Sequence, residues 1–201
     1  MWKPDSPKAS ITAVNLAAAE DLSLIQPDMA YAASYLEARR EGYTDTSLPM
    51  ADQVQLGPEQ LAEHLATLNQ PERGARWADT PDGPPVQFAH LWMVTPHEFT
   101  GRVSIRYELT EKLLRSGGHI GYEVRPAYRG RGLGHRALQL GMEHLRARGI
   151  SSFLLTCRDD NAGSIRIIEA AGGMLENVVD HPNIPGKRNC RYWIGRTSLN
   201  V

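Results

Sequence analysis

The stretch Arg129-Gly130-Arg131-Gly132-Leu133-Gly134 constrains this chain more than any other. Its three glycines alternate up to the point where a helical pattern begins. Apolar residues recur at Leu133, Ala137, Leu138, Leu140, Met142 and Leu145 in a segment reaching Arg148, and Gly149 is placed to cap it. Upstream, His119 to Val124 reads as a strand stopped by Pro126. A glycine turn between a strand and a helix brings unpaired backbone N–H groups and the positive end of the helix dipole to one point, where they converge on an anion. Glycine lets a phosphate approach the backbone, and Arg129 and Arg131 add charge-assisted donors.

The rest of the chain builds a frame around that turn. Val86 to Val94 and Gly101 to Tyr107 are rich in aromatic and β-branched residues and predict a hairpin closed by Thr95 to Thr100. Leu109 to Arg115 predicts one or two helical turns ended by Gly117-Gly118. After the long helix, Ile150 to Cys157 is a short apolar strand, Asn161 to Ala171 a helix with Gly172-Gly173 beyond it, and Arg191 to Gly195 a closing strand. Before residue 85, Pro, Gly and acidic residues interrupt the hydrophobic pattern. There Ser10 to Val14 predicts a strand, Ala30 to Arg40 and Gly57 to Leu68 helices, and Glu41 to Leu56 a long loop suited to a substrate wall. The order predicts an α/β (α+β) fold, a mixed sheet with helices on its faces. Residues 1–201 are expected to form one domain, with an N-terminal strand, helices and acceptor-side loop over 1–85 and a binding core over 86–195.

Composition excludes several classes. Charged residues are 22% of the chain and cancel to a net charge of −1, so no overall field favours nucleic acid or an anionic membrane. No stretch approaches the roughly 18 consecutive apolar residues of a membrane-spanning helix, and Met1 to Lys8 lacks the apolar run of a signal peptide, so the expected location is cytoplasmic. Cys157 and Cys190 are too few for a disulfide framework, and Cys157 is expected as a buried thiol. His64, His90, His97, His144 and His181 form no spaced metal set, so no metal is expected.

The identity of the anion is a separate question, because Gly132-Leu133-Gly134-His135-Arg136-Ala137 also fits a loose dinucleotide fingerprint. Context argues against it: Arg125 to Arg129 separate the strand from the glycines, and several strands precede in hairpin order. No glycine-lysine-serine or glycine-lysine-threonine follows, which disfavours a nucleotide triphosphatase.

The run Gly118-His119-Ile120-Gly121-Tyr122-Glu123-Val124-Arg125-Pro126-Ala127-Tyr128-Arg129-Gly130-Arg131-Gly132-Leu133-Gly134 resembles the signature of the GNAT N-acetyltransferase superfamily. Arg129, Gly132 and Gly134 occupy that signature's fixed places, and Asn161, Ser164, Glu169 and Gly172 match a second element. The resemblance spans about Val86 to Ile194. Gly117 to Tyr122, Gly172-Gly173 and Arg191 to Ile194 are more narrowly similar to a bacterial branch of predicted acetyltransferases. The resemblance implies a mostly antiparallel sheet with a splayed strand pair, the strand ending at Val124 separating from the next so that a pantetheine arm lies between. Backbone groups near Val124 would pair with that arm or with the acetyl carbonyl. Arg129, Gly130, Arg131, Gly132, Leu133, Gly134, His135 and Arg136 would take the pyrophosphate, and Asn161 and Ser164 would line the far side.

The implied activity is an acetyl-CoA-dependent N-acetyltransferase acting on a primary amine of a small molecule or peptide. A non-catalytic acyl-CoA sensor or scaffold and an NADP-dependent oxidoreductase stand as alternatives. The acceptor amine is unidentified, neither nucleic acid nor membrane is expected as a partner, and a homodimer is left open. Transfer needs a base, for which His119 is the first candidate and Glu123, on the same strand face, the second. Many family members protonate the leaving thiolate with a tyrosine, but Ile168 stands at that place, leaving Ser164, Tyr122 and Tyr192 as alternatives. Trp77, Trp92 and Trp193 are candidates to line the acceptor pocket, and Glu37, Glu41 and Asp45 to attract a cationic amine.

Overall fold

A computed structural model describes residues 21–45, 56–69 and 86–196. The chain opens with a short strand β1 (Ser23–Ile25), a single 3-10 turn at Met29–Tyr31 and two helices, α1 (Ala32–Arg40) and α2 (Pro58–Leu68). A hairpin follows, β2 (Phe88–Val94) and β3 (Phe99–Arg106), then the short α3 (Glu111–Arg115) and β4 (Ile120–Val124). After a 3-10 turn at Pro126–Tyr128 come α4 (Leu133–Arg146), β5 (Phe153–Arg158), α5 (Ala162–Ala170), β6 (Met174–Asp180) and β7 (Arg188–Ile194). The fold is mixed α/β with antiparallel sheets and flanking helices.

The strands divide into two sheets, β1-β2-β3-β4 and β5-β7-β6, and every ladder is antiparallel. Strands β4 and β5 face each other without a ladder. They meet at one end only, where the His119 N–H donates to the Leu154 carbonyl at 2.7 Å. Gly118 allows this crossing. At φ +60° it occupies the left-handed region, and a Cβ there would lie 2.3 Å from the Leu154 oxygen. Beyond this vertex the two strands diverge.

Helix α4 packs on β3 and β4 because its apolar face repeats at helical spacing: Leu133, Ala137, Leu138, Met142 and Leu145 are buried, as their positions predict. Gly141 takes the close-approach position, where a Cβ would sit 3.0 Å from Ile120. On the opposite face of the first sheet, α1 and α2 cover a second core. Tyr35 stacks on Trp92 at 4.8 Å between ring centroids, and Phe99 and Tyr43 meet them edge-on. Such aromatic pairs contribute about 0.5–1.5 kcal/mol each beyond their burial. Arg125, buried at the end of β4, ties α1 down through Glu41 at 2.9 Å, Glu37 at 3.3 Å and Ser34 Oγ at 3.0 Å.

Several boundaries differ from the sequence reading. The α-helix expected from Ala30 begins at Ala32, because Asp28 caps a 3-10 turn first, accepting from the Ala30 N–H at 2.8 Å. Strand β5 begins at Phe153 rather than Ile150, since Ile150 still caps α4, donating to the Leu145 carbonyl. The closing strand begins at Arg188 rather than Arg191, extended by pairing with β6, a strand that the sequence reading lacks. Cys157, expected buried, is half-buried beside the strand pair's open end, and Cys190 opposite it is buried. The expected strand Ser10 to Val14, Trp77 and most of the Glu41 to Leu56 loop lie outside the described residues.

Candidate active site

The divergence of β4 from β5 makes a gap lined by backbone. The Arg106 N–H donates to the His119 carbonyl and the Arg125 N–H to the Thr100 carbonyl, so the odd-numbered residues of β4 spend their main-chain groups on β3. Ile120, Tyr122 and Val124 therefore turn their N–H and C=O groups toward the gap. The Val124 carbonyl already accepts from Arg129 Nε at 3.0 Å and retains a second lone pair.

At the gap's end the chain turns through Pro126–Tyr128 into the glycine run. Gly130 and Gly132 have φ of +74° and +81°, and nothing lies within 4 Å of the place a Cβ would take at either. Gly132 is the N-cap of α4, and the first-turn N–H groups at Leu133 and Gly134 have no intrahelical acceptor. The side chain of Leu133 is buried, leaving only its backbone for a ligand. Gly134 has a packing duty as well, since a Cβ there would meet Ile167 at 2.7 Å and Tyr122 at 3.7 Å. Arg129, Arg131 and His135 are exposed around the turn, Arg131 resting over the Tyr128 ring at 5.3 Å. Arg136 instead points along the helix to Glu143 at 3.6 Å. The backbone cradle, helix terminus and exposed arginines fit a pyrophosphate.

Across the gap, Asn161 is the N-cap of α5, its Oδ1 accepting from the Ser164 N–H at 3.1 Å. The Tyr122 side chain reaches from β4 toward this helix. Its hydroxyl is buried, lies beside the Ser164 hydroxyl and has no hydrogen-bond partner of normal geometry among the described residues; burial pushes its pKa up to about 12. Tyr192 donates to Glu169 at 3.2 Å, and Ile168 is packed in the core.

The two base candidates have different surroundings. His119 is buried at the vertex, and its Nδ1 accepts from the Leu154 N–H at 2.9 Å, so one imidazole and one backbone group join the two sheets by a pair of bonds. Neutral His119 then carries its proton on Nε2 and has no lone pair left for an amine proton. Burial also holds its pKa down. Glu123, half-buried on the face covered by α1, has its pKa raised by burial, with Arg102 at 3.5 Å pulling the other way. Arg102 also lies 3.6 Å from Asp45 and donates to Ser104 Oγ at 2.6 Å. The sequence carried a signal for this polar tract, the alternation Arg102, Ser104, Arg106 with apolar residues between, which predicts a polar sheet face.

Some expected acceptor-side groups are committed elsewhere. Glu37 and Glu41, both exposed, pair with buried Arg125, and Asp45 is buried, accepting from the Tyr35 hydroxyl at 3.0 Å, so of the three acids only Glu37 and Glu41 reach the surface. Trp92 is fully buried in the aromatic core, whereas Trp193 lies half-buried near His119.

No curated protein matches the sequence. The structure is similar to Mycobacterium smegmatis RimJ in complex with CoA-disulfide, at 20% identity and a TM-score of 0.61 over 86% of this chain and 81% of that one. It is also similar to a Salmonella typhimurium acetyltransferase that modifies the N-terminal serine of ribosomal protein L7/L12, at 17% identity and a TM-score of 0.57 over 90% and 98% of the two chains. A third likeness is to the microcin C7 self-immunity acetyltransferase MccE in complex with acetyl-CoA and AMP, at 16% identity and a TM-score of 0.58 over 88% and 93%. The sequence model of the Acetyltransferase (GNAT) family matches residues 57–172, more than half of the chain, and the chain belongs to that family.

Proposed function

We propose that the protein is an acetyl-CoA-dependent N-acetyltransferase acting on a primary amine of a small molecule or peptide. The observation that carries this reading is the gap between β4 and β5, which leads from the glycine turn to Glu123 and is lined by unladdered backbone. Acetyl-CoA, when bound, supplies the activated acyl group. The turn at Gly130 to Gly134 with Arg129, Arg131 and His135 holds the pyrophosphate, with Arg136 joining if it leaves Glu143. The N–H and C=O groups of Tyr122 and Val124 hold the arm as a missing strand would, and Asn161 and Ser164 bound its far side. Glu123 takes the amine proton, directly or through one water, because it is ionisable, faces the capped side of the sheet, and has its pKa raised toward the working range. His119 has a positioning role, fixing the vertex from which the strands diverge. The structures that carry acetyl-CoA or CoA support the co-substrate, and those that act on a ribosomal protein support a peptide amine among the acceptors. Among the described residues no helix is long and apolar enough to cross a membrane, which is compatible with a cytoplasmic enzyme.

The test is a thermal-shift comparison with acetyl-CoA, CoA and NADPH, followed by a mass-spectrometric screen of amines for acetyl gain. A ligand that binds only the folded chain raises its midpoint. A rise with the CoA compounds alone and an acetylated amine are expected. A rise with NADPH alone would overturn the reading, and CoA binding with no turnover on any amine would make the protein a sensor.

A further inference from the structure

Resting on the reading of Glu123 as the base, we infer that Asp45 is a positioning residue for it: held by Tyr35, Asp45 takes one side of the Arg102 guanidinium and so keeps that cation from pairing fully with Glu123. The three nitrogens of Arg102 face three different residues. Nε lies 3.6 Å from Asp45 Oδ1, Nη1 donates to Ser104 Oγ at 2.6 Å, and Nη2 lies 3.5 Å from Glu123 Oε2. Both carboxylates stand farther from the cation than the roughly 2.7–2.9 Å of a close charge-assisted bond. Arg125, by contrast, reaches Glu41 at 2.9 Å.

Two parts of the chain build this arrangement. On β3, Arg102 and Ser104 share one face by the two-residue period, and the strand register sets Arg102 opposite Glu123 on β4. Asp45 comes from the segment after α1 and is buried; its Oδ2 accepts from the Tyr35 hydroxyl at 3.0 Å, and the Tyr35 ring is fixed by its stack on Trp92. A buried carboxylate stays ionised only where charge and hydrogen bonds offset its desolvation. Asp45 has both, a phenol on one oxygen and a guanidinium beside the other, so it is the acid of the pair that remains ionised. Glu123 has one hydrogen-bond contact among the described residues, the long one to Arg102, and is the member placed to take a proton.

Charge balance gives this division its use. With both acids ionised, the two carboxylates and Arg102 carry one net negative charge, and an amine proton accepted by Glu123 brings them to neutrality. Without Asp45, Arg102 and ionised Glu123 would already be neutral, and protonation would leave Arg102 a buried cation with no counter-charge from this pair. The other groups facing Glu123 are Tyr43, whose phenol burial pushes up so that it stays neutral, and Arg129 from the turn after β4. Burial raises Glu123 most; Arg102 lowers it, Asp45 raises it and Arg129 lowers it, which is the direction this balance requires. The step conserves atoms and electrons: the amine nitrogen bonds to the acyl carbon and gives its proton to Glu123, the C–S electron pair stays on sulfur, and the proton on Glu123 returns to sulfur through solvent.

The experiment is carboxyl-carbon NMR of the full chain, with signals assigned through the backbone, titrated downward from pH 8. In wild type the Glu123 carbon is expected to move before that of Asp45, and the reverse order overturns the inference without need of any variant. In Asp45→Asn, with a near-native amide spectrum reporting an intact fold, Glu123 is expected to titrate about one pH unit lower, because Arg102 then pairs with it alone. Titration of Glu123 at its wild-type pH in that variant overturns the inference. With an acceptor in hand, Asp45→Asn is expected to move the acid limb of the pH–rate profile down by the same interval and to lower the plateau about threefold, as a weaker base predicts. Lost turnover at an unmoved limb would make Asp45 purely structural and overturn it as well. Full turnover by Glu123→Gln, with both titrations as expected, would instead overturn Glu123 as the base and leave the shared cation standing.

Discussion

Leu154 gives both of its backbone groups to one residue, its carbonyl to the His119 N–H and its N–H to His119 Nδ1. That pair of bonds defines what a substitution at residue 119 does. His119→Ala leaves the buried Leu154 N–H without an acceptor, so a loss of about 1–3 kcal/mol is expected by denaturant unfolding. His119→Asn places Oδ1 near the position of Nδ1 and is expected to recover most of the stability and the turnover. A catalytic imidazole would predict the reverse, with Asn as inactive as Ala at equal stability. Glu123→Gln keeps the shape and a hydrogen-bonding group beside Arg102 but cannot take a proton. Its kcat is expected to fall about 10²–10⁴-fold with KM nearly unchanged, and the acid limb of the pH–rate profile, moved upward from the usual glutamate value by burial, is expected to disappear. The pairing of His119 with Glu123 on one strand face was legible from the two-residue period. Which of them keeps a usable lone pair was not, because the decisive group is a backbone N–H from a strand 35 residues away.

At the scale of elements, the glycine turn is where sequence and geometry agree most closely, since both helix face and turn chemistry are local. Gly132 and Gly149 make a matched pair for testing it. Their φ values are +81° and +80°, and neither has an atom within 4 Å of its missing Cβ. An alanine at either position bears the same left-handed strain, about 1–2 kcal/mol, and lowers the unfolding midpoint similarly. Only Gly132→Ala is expected to weaken acetyl-CoA binding further, by roughly tenfold or more, because its methyl stands where the phosphate must approach the N–H groups. Equal affinities for the two variants would detach the turn from the co-substrate. Elements shaped by partners were harder to read. Strand β6 is exposed nearly throughout, with Met174, Leu175 and Val178 facing outward and a register shift between Leu175 and Asn177, so it carries no two-residue alternation. Strand β1 has three residues, too short to carry a period, and exists because β2 offers it an edge. The family match begins at residue 57, before the Val86 at which the resemblance was read, and so includes α2, whose amphipathic pattern alone is common to many folds.

On the scale of the whole molecule, two sheets share one fixed vertex, and the first is closed on its outer face by α1 and α2. Packing of the sheets and helices buries imidazoles that would titrate in water. Burial holds His90 down to about 4 and lowers His119 as well. An unfolded imidazole takes its proton near pH 6.5, so between that value and about 4 the unfolded chain binds more protons than the folded one, and stability falls as the pH falls. Glu41, held low by Arg125, adds to the loss below the ordinary carboxylate range, whereas Glu123, raised by burial, opposes it by taking up its proton first in the folded state. The histidines therefore govern the upper part of the window. Unfolding free energies measured from pH 8 to pH 5 are expected to be flat down to about 6.5 and then to decline. His90→Leu removes the largest buried titration while keeping an apolar side chain beside Trp92, so its decline over the same range is expected to be shallower. An undiminished slope in that variant would mean that the fold opens at His90 before the pH reaches it, and that the contact of α1 and α2 with the sheet is looser than the stacked Tyr35 and Trp92 imply.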